Sequence, residues 1–309
     1  MPILRDAFLA MSTSAWLRKA VIGFPLSRRM TRRFVAGETL DEAIAVVKKL
    51  NAQNMQVTFD LLGESVTQES EAREARDGYL RALDAIAANH VSSHVSVKLT
   101  QMGLDLNPDL CLANMRQIVG KAKAIGTFVR VDMESSAHTQ ITLNIFKTLR
   151  EEFDNVGIVI QSYLYRSEED MRALLVMGAN VRLCKGAYKE PAEIAFPEKK
   201  DVDANYLKLA QMFLQTNGHS NGVHLALATH DEKIIRWAKD YVAAHQVARD
   251  RFEFQMLYGI RSDLQRQLAG EGYTMRVYVP YGTHWYPYFM RRLAERPANV
   301  IFLMSNLFR

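Results

Sequence analysis

Short runs rich in β-branched residues recur along the chain, and a segment with helical apolar spacing follows each run. The runs predict eight strands, at Gln56–Leu61, His94–Leu99, Phe128–Met133, Val156–Gln161, Asn180–Cys184, His224–Thr229, Phe252–Met256 and Thr274–Val279. The segments that follow them predict eight helices, at Val66–Asn89, Asp109–Ile125, Ala137–Glu152, Ser167–Gly178, Val202–Asn217, Asp231–Gln246, Ser262–Gly270 and Trp285–Arg296.

Eight strands that each precede a helix are the count of a (β/α)₈ barrel in the α/β class. A doubly wound sheet shows the same alternation, but no GxGxxG fingerprint follows any of the predicted strands, which disfavours that fold. The chain shows no composition break or low-complexity linker, so we expect a single domain over residues 1–309, with residues 1–50 as an N-terminal helical arm.

Composition narrows the class of protein. The chain is 48% apolar and 24% charged, and no run of 18 or more apolar residues is present, so no membrane span is expected. The sequence contains no CxxC, HxH or HExxH motif, so no metal site is expected. Two lone cysteines, Cys111 and Cys184, are typical of a reducing compartment, and the expected location is the cytoplasm.

The net charge of +5 includes a local excess at Arg28–Arg29 and Arg32–Arg33. Nucleic acid and an anionic membrane surface both attract such a cluster, and a solvated helix end is the commonest reason for one.

The polar residues of the predicted strands follow a period of two. Thr58 and Asp60, Ser96 and Lys98, and Arg130 and Asp132 alternate with apolar neighbours, so each polar pair shares one face of its strand. In a barrel that face points to the axis, and its last member lies at the C-terminal mouth. The same reasoning places five more polar residues there: Gln161, Arg182, Thr229, Gln255 and Tyr278. Buried polar groups in most layers are costly unless they are paired or bind a ligand, so the mouth is the predicted active site.

The predicted mouth is rich in cations and lacks a nucleophile motif. GxSxG is absent, and the side chains of Asp132 and Glu134, two positions apart, are not expected to form a glycosidase pair. The cations are Lys98, Arg182, Lys185, Arg291 and Arg292. Such a set favours an anionic substrate and a large anionic cofactor that carries the chemistry. Adjacent Arg291 and Arg292, one helical turn beyond Tyr288, suit a clamp for a small carboxylate because each guanidinium can donate two parallel hydrogen bonds.

Nine stretches in this order resemble the monofunctional proline dehydrogenases nearly end to end: Phe34–Leu40, Asp60–Ser65, Val97–Leu99, Asp132–Glu134, Gln161–Tyr163, Arg182–Tyr188, Ala228–Asp231, Glu253–Leu257 and Tyr278–Arg292. The resemblance implies an FAD-dependent oxidation of L-proline to Δ1-pyrroline-5-carboxylate, the first step of proline catabolism to glutamate. It implies hydride transfer from proline C5 to flavin N5 and electron transfer to a membrane quinone. It also implies a distorted barrel whose eighth helix lies over the mouth.

The resemblance further implies residue roles. The implied catalytic residues are Arg182, at the flavin N5 edge, and Asp132, which orients the charged groups around it. Proline would bind to Lys98, Leu257, Tyr278, Tyr288, Arg291 and Arg292. FAD would bind to Met133, Gln161, Lys185, Gly186, Ala187, Thr229, His230 and Glu295. Glu64 would gate the mouth by pairing with the arginine helix. The implied quinone suggests peripheral contact with the inner face of the cell membrane, for which the Arg28–Arg33 cluster and the Phe302–Arg309 tail are candidates.

Several alternatives stay open at this point. Lys98 or Lys185 could be the nucleophile of a Schiff-base lyase on the same barrel. Another flavin barrel, such as a methylenetetrahydrofolate reductase, would respond to NADH, and a barrel recruited only for binding would not catalyse at all. Thr229–His230 could be a helix N-cap followed by a surface histidine, and Gln161 a satisfied core amide. Lys189 stands where relatives can carry an aromatic residue, which puts the contact there in doubt.

Overall fold

The barrel predicted from the strand count is present. The computed structural model describes residues 31–63, 65–215 and 223–295, with the side chains of 293–295 excepted. Eight parallel strands pair in chain order, and the first pairs with both the second and the eighth, which closes the barrel. They are β1 (Gln56–Leu61), β2 (Ser93–Val97), β3 (Val129–Val131), β4 (Val156–Gln161), β5 (Asn180–Cys184), β6 (His224–Ala228), β7 (Phe252–Leu257) and β8 (Met275–Tyr281).

Helices cover the outside of the barrel, and a final helix follows its last strand. They are α1 (Leu40–Asn51), α2 (Glu69–Ala88), α3 (Pro108–Ala124), α4 (Ser136–Glu152), α5 (Ser167–Val176), α6 (Lys199–Leu214), α7 (Glu232–Ala244), α8 (Ser262–Gly270) and α9 (Trp285–Glu295). A short 3₁₀ turn at Arg249–Arg251 precedes β7. None of these helices combines the length and apolar character needed to cross a bilayer, within the residues that the structure describes.

Three strands, β2, β3 and β6, end earlier than predicted, on the side that faces the mouth. The chain turns at Leu99, whose carbonyl accepts from the N–H groups of Met102 and Leu104, both at 3.0 Å, so β2 cannot continue to that residue. β3 ends at Val131, although the N–H of Asp132 still donates to the carbonyl of Val97 at 2.9 Å. Two residues further on, the carbonyl of Glu134 accepts from the side chain of Gln161 at 2.7 Å. The residues that follow the shortened strands carry mouth side chains, including Lys98 and Asp132.

Helix α1 explains why the eighth helix leaves the outer ring. A capping box between Thr39 and Glu42 starts α1, and its apolar face is buried on β1 and β8. That position beside β8 is therefore filled. Helix α9 instead packs its aromatic residues on Leu62, directly after β1, and on Phe34 and Val35 of the arm. The prediction that this helix lies over the mouth is confirmed. The extent of the domain over residues 1–309 stays a prediction.

The lower part of the barrel interior holds charged residues that pair with one another. Arg276 donates to both carboxylate oxygens of Glu253, at 2.9 and 3.0 Å. Arg130 donates to the carbonyls of Ile158 (3.1 Å) and Asn180 (2.6 Å). Burial alone would raise the pKa of Glu253, but the adjacent Arg276 holds it well below its usual range. We call Glu253, Arg276 and Arg130 the floor of the barrel. The floor therefore depends on ion pairing, as expected for buried charges.

His224, at the start of β6, gives the barrel floor a pH dependence. The pKa of His224 falls from its usual 6.5 to about 4, chiefly because of burial; Glu253 opposes the shift, and Arg130, Arg276 and Arg251 add to it. Between these two pH values the unfolded chain binds more protons than the folded chain, so stability falls as the pH is lowered through this window. A shift of this size corresponds to a loss on the order of 3 kcal/mol at the acid end.

We expect His224→Gln to flatten the dependence of the free energy of unfolding on pH between 6.5 and 4.5, because glutamine takes up no proton there. His94 stays in place, and burial likewise lowers its pKa, so the slope should decrease without vanishing. Urea unfolding at stepped pH measures the slope, with the exposed His90→Asn as the control. Identical slopes in wild type and His224→Gln would contradict the prediction.

Candidate active site

Asp132 is the centre of a charged cluster at the C-terminal mouth. Its Oδ1 accepts from the Ser96 hydroxyl (2.7 Å) and from Arg182 Nη1 (2.9 Å). Its Oδ2 accepts from the Tyr278 hydroxyl at 2.9 Å and lies 3.9 Å from Lys98 Nζ. These groups come from or directly follow four strands, β2, β3, β5 and β8. The period-two alternation therefore brings together Asp132, Arg182, Tyr278 and Lys98 as expected.

Lys98 has a second and closer carboxylate partner in Asp60. Lys98 Nζ donates to Asp60 Oδ1 at 3.0 Å. Burial raises the pKa of Asp60; Asp132 raises it further, and Lys98 opposes the shift. The sequence placed Asp60 on the axial face of β1 but gave it no role, because nothing local indicates that Asp60 reaches across to β2. This pairing stabilises the ammonium form of Lys98, whereas a Schiff-base lysine must be neutral to attack.

The guanidinium of Arg182 is held on two of its three nitrogens. Nε donates to Gln255 Oε1 at 2.5 Å, and Nη1 donates to Asp132 and Ser96. Its carbon lies 5.3 Å from the centre of the Tyr278 ring. Nη2 is buried and has no acceptor among the residues that the structure describes. A buried N–H group without an acceptor is costly, so this atom is suited to an anionic or electron-rich ligand.

A cavity of about 120 Å³ lies between the mouth and helix α9. It is lined by Leu62, Gly63, Lys98, His284, Pro287, Tyr288 and Arg291. Arg292 lies beside it, with its guanidinium carbon 5.0 Å from the centre of the Tyr288 ring. The structure therefore brings Lys98 and Arg291 to one small cavity that has an aromatic wall. A second cavity, of about 80 Å³, lies between Thr31–Glu42 and Trp285, away from the mouth charges.

The residues expected to hold a cofactor follow β3 to β6. Gln161 donates to the carbonyl of Glu134 at 2.7 Å and is buried, as is Met133. Gly186 has φ +117°, and a Cβ there would collide with the ring of Tyr163, so the turn after β5 requires glycine. Ala187 is exposed beside it.

Lys185 is paired with two carboxylates that the sequence did not indicate. Its Nζ lies 2.6 Å from Asp203 Oδ1 on α6 and 2.9 Å from Asp231 Oδ2. Asp231 is also the N-cap of α7, with its Oδ1 accepting from the Lys233 N–H at 3.1 Å. An aspartate directly before a helix is a local signal for an N-cap. The pairing of Asp231 with Lys185 depends instead on which strand end lies beside α7, which is not a local property of the sequence.

The alternative hypothesis that Thr229 is a helix N-cap followed by a surface histidine is wrong, because Asp231 is the N-cap of α7. The Thr229 hydroxyl accepts from the Asp231 N–H at 3.1 Å. His230 Nε2 accepts from the Leu257 N–H at 3.0 Å, which places the ring proton of the neutral imidazole on Nδ1. His230 is therefore half-buried and tied to the end of β7.

Some predicted residues lie outside the described part of the chain. These are Glu64, the side chain of Glu295, Arg28–Arg29 and Phe302–Arg309. Within residues 31–63, 65–215 and 223–295, no group of three or more His, Cys, Asp or Glu is arranged to hold a metal ion.

Comparison with known proteins identifies the family. The family model for proline dehydrogenase matches residues 43–305. Proline dehydrogenase 1 of Bacillus subtilis is 44% identical over 307 residues, covering 99% of this chain and 100% of its own length. The chain belongs to the proline dehydrogenase family. It is an oxidoreductase that acts on the CH–NH group of its donor, and its activity is the oxidation of proline, the first step of proline catabolism.

Two further proteins are similar to this chain. The proline dehydrogenase of Deinococcus radiodurans is 44% identical over 285 residues, covering 91% of this chain and 90% of its own. A solved structure of proline utilization A from Bdellovibrio bacteriovorus, inactivated by N-propargylglycine, matches with a TM-score of 0.81 and 27% identity. The match covers 95% of this chain and 36% of the longer protein, so this proline dehydrogenase family member spans about a third of that structure.

Proposed function

We propose that this proline dehydrogenase family member oxidises L-proline to Δ1-pyrroline-5-carboxylate with FAD and passes the electrons to a membrane quinone. When bound, FAD supplies the hydride acceptor at N5. The observation that carries the proposal is Arg182, buried at the mouth with no acceptor for Nη2 among the described residues, together with a cavity lined by Lys98 and Arg291. A cationic cavity and a buried donor together suit a small amino acid and an electron-rich cofactor.

The cavity between the mouth and helix α9 is the proposed substrate site. Arg291 and Lys98 line it, and either can bind a carboxylate. Arg292, stacked on Tyr288, adds positive charge at the same end. We assign the proline carboxylate to these three cations and the ring to Tyr278, Tyr288 and Leu257.

The proposed cofactor site lies on the opposite side of the mouth. Arg182 Nη2, which has no acceptor within the described ranges, and the exposed turn at Gly186–Ala187 fit a flavin. Backbone and side-chain donors at strand ends are also suited to its phosphates. We assign FAD binding to Met133, Gln161, Lys185, Gly186, Ala187, Thr229, His230 and Glu295, and we keep the gating role of Glu64.

Arg182 and Asp132 have distinct tasks in this proposal. Arg182 would lie beside the hydride acceptor that the flavin supplies, and it would stabilise the negative charge that develops there more in the transition state than before it. Asp132 accepts from Arg182, Ser96 and Tyr278, so it fixes the guanidinium and the phenol relative to each other. Burial raises the pKa of Tyr278 well above its usual value, with Asp132 adding to the effect, so the phenol stays a hydrogen-bond donor.

The cations of the cavity also act on the substrate amine. Proline can lose hydride from C5 only when its nitrogen has a free lone pair. Lys98, Arg291 and Arg292 disfavour a nearby ammonium and thereby promote the loss of its proton.

The lysine lyase is the competing candidate, and the structure disfavours it. Lys98 is paired with Asp60, and Lys185 with Asp203 and Asp231. A thiol nucleophile is disfavoured as well, since burial raises the pKa of Cys184 to about 12.

An anaerobic absorbance spectrum tests the proposed function. We expect the purified protein to show the two bands of an oxidised flavin, which bleach on addition of L-proline and return on addition of a water-soluble quinone. A flavin that stays oxidised with proline but bleaches with NADH would replace the substrate assignment. A colourless protein that cannot be reconstituted with FAD would overturn the cofactor assignment and promote the lyase.

Peripheral membrane contact and a cytoplasmic location are part of the proposal: the contact follows from the quinone acceptor, and the location from the two free cysteines, Cys111 and Cys184. The positive net charge of +5 supports attraction to an anionic bilayer surface.

A further inference from the structure

Gln255 connects the mouth of the barrel to its charged floor. It lies on β7 and is 4% exposed. Its Oε1 accepts from Arg182 Nε at 2.5 Å, and its Nε2 donates to Glu253 Oε1. Gln255 is therefore the only described side chain that hydrogen-bonds to both Arg182 and the floor pair of Glu253 and Arg276.

The orientation of the Gln255 amide is determined by this network. Arg182 Nε can only donate and the carboxylate of Glu253 can only accept. A flipped amide would therefore set donor against donor and acceptor against acceptor. Glu253 is itself fixed by Arg276, which donates to both of its oxygens and, through Nη1, to the carbonyl of Val57 at 3.0 Å.

The consequence for Arg182 is a fixed guanidinium plane. Gln255 holds Nε, while Ser96 and Asp132 hold Nη1, so the direction of the remaining Nη2 is set by groups on β2, β7 and the end of β3. Because Gln255 is neutral, it positions Arg182 without cancelling its charge. A glutamate there would add a second carboxylate to the one supplied by Asp132.

We propose that Gln255 is a positioning residue for the oxidation: it aligns Arg182 Nη2 with the reacting centre, and the Glu253–Arg276 pair keeps the Gln255 amide in the required orientation. This inference rests on the proposed function, in which Arg182 lies beside flavin N5.

The first test is Gln255→Met, which keeps the length of the side chain and removes the acceptor. We expect anaerobic flavin reduction by saturating proline to slow ~10- to 100-fold, the effect of a misplaced catalytic group. We expect the proline dissociation constant to stay within about twofold of wild type. The midpoint potential of the bound flavin should become more negative, a change that a merely structural role would not produce. Asn114→Leu, which removes a buried amide from the outer helix α3, should leave the reduction rate, the dissociation constant and the midpoint potential unchanged.

A double-mutant cycle with Arg182→Met decides whether Gln255 acts through Arg182. If it does, Gln255→Met should lower the midpoint potential in the wild-type background and have no further effect once Arg182 is methionine. Equal effects in both backgrounds would overturn the inference, as would an unchanged potential in Gln255→Met. If Arg182→Met alone leaves the potential unchanged, the placement of Arg182 in the proposed function fails instead.

Gln255→Asn covers the case in which Gln255→Met does not fold. Asparagine is one methylene shorter, so its oxygen withdraws from Arg182 Nε while a polar group still faces Glu253. We expect the same shift of midpoint potential in this variant. A folded, flavin-loaded Gln255→Asn enzyme with wild-type potential and reduction rate would contradict the proposal.

Discussion

Replacing Arg182 with methionine is expected to slow the reduction of the flavin by proline ~10²- to 10³-fold, the usual effect of removing one preorganised donor from a site of developing charge. Arg182 is buried, and its Nη2 has no acceptor among the described residues, so in the proposed function this N–H bonds to the cofactor. Methionine fills a similar volume but offers neither a positive charge nor a donor. Proline binding should change little, because Arg182 does not line the cavity shared by Lys98 and Arg291.

Stopped-flow reduction at several proline concentrations separates the rate from the binding constant. Arg172→Met, at an exposed arginine that pairs with Glu168 on α5, is the matched control and should behave as wild type. Since breaking a buried ion pair costs about 3–5 kcal/mol, the melting temperature must be measured alongside. Arg182→Lys keeps the positive charge but loses the planar guanidinium, so its rate of flavin reduction should lie between those of wild type and Arg182→Met. A folded Arg182→Met enzyme with wild-type reduction rate would remove Arg182 from the catalytic assignment.

Arg291→Met is expected to raise KM for proline by about two orders of magnitude or more, in line with the loss of one partner of a desolvated charge pair. Arg291 lines the cavity directly, whereas Arg292 stacks on Tyr288, which lines it. Arg292→Met should also raise KM by orders of magnitude, since both arginines are assigned to the substrate carboxylate.

Steady-state kinetics and the flavin absorbance of the same preparations test this prediction. FAD content should match wild type in both variants, because the assigned flavin contacts lie mainly on the other side of the mouth. If both variants kept the wild-type KM, the carboxylate clamp would have to be abandoned. Loss of FAD in either variant would instead move that arginine to the cofactor site.

Local patterns in the sequence account for the architecture. Period-two alternation identified the axial faces of β1 to β3, and with them Lys98 and Asp132; the same reasoning applied to β5 added Arg182. Helical spacing after each strand gave the barrel count. These signals are readable because the side-chain period of a strand and the apolar period of a helix are properties of a few consecutive residues.

Pairing between distant residues was decided only by the tertiary structure. Asp60 binds Lys98, Asp203 and Asp231 bind Lys185, and Gln255 reaches Arg182 from a strand 73 residues further along the chain. Which side chains meet inside a closed barrel depends on the relative register of its strands, and no local pattern encodes that register.

The sequence by itself determined which residues face the axis and which strand ends form the mouth. The structure decided how their charges are distributed. It gave Lys98 and Lys185 carboxylate partners and left Arg182 with a buried nitrogen that has no acceptor in the described part of the chain. It also showed that α1 occupies the place beside β8, which accounts for the position of α9 over the mouth. Alternation is fixed by the covalent geometry of the strand, whereas charge pairing and helix placement follow from closing all eight strands at once.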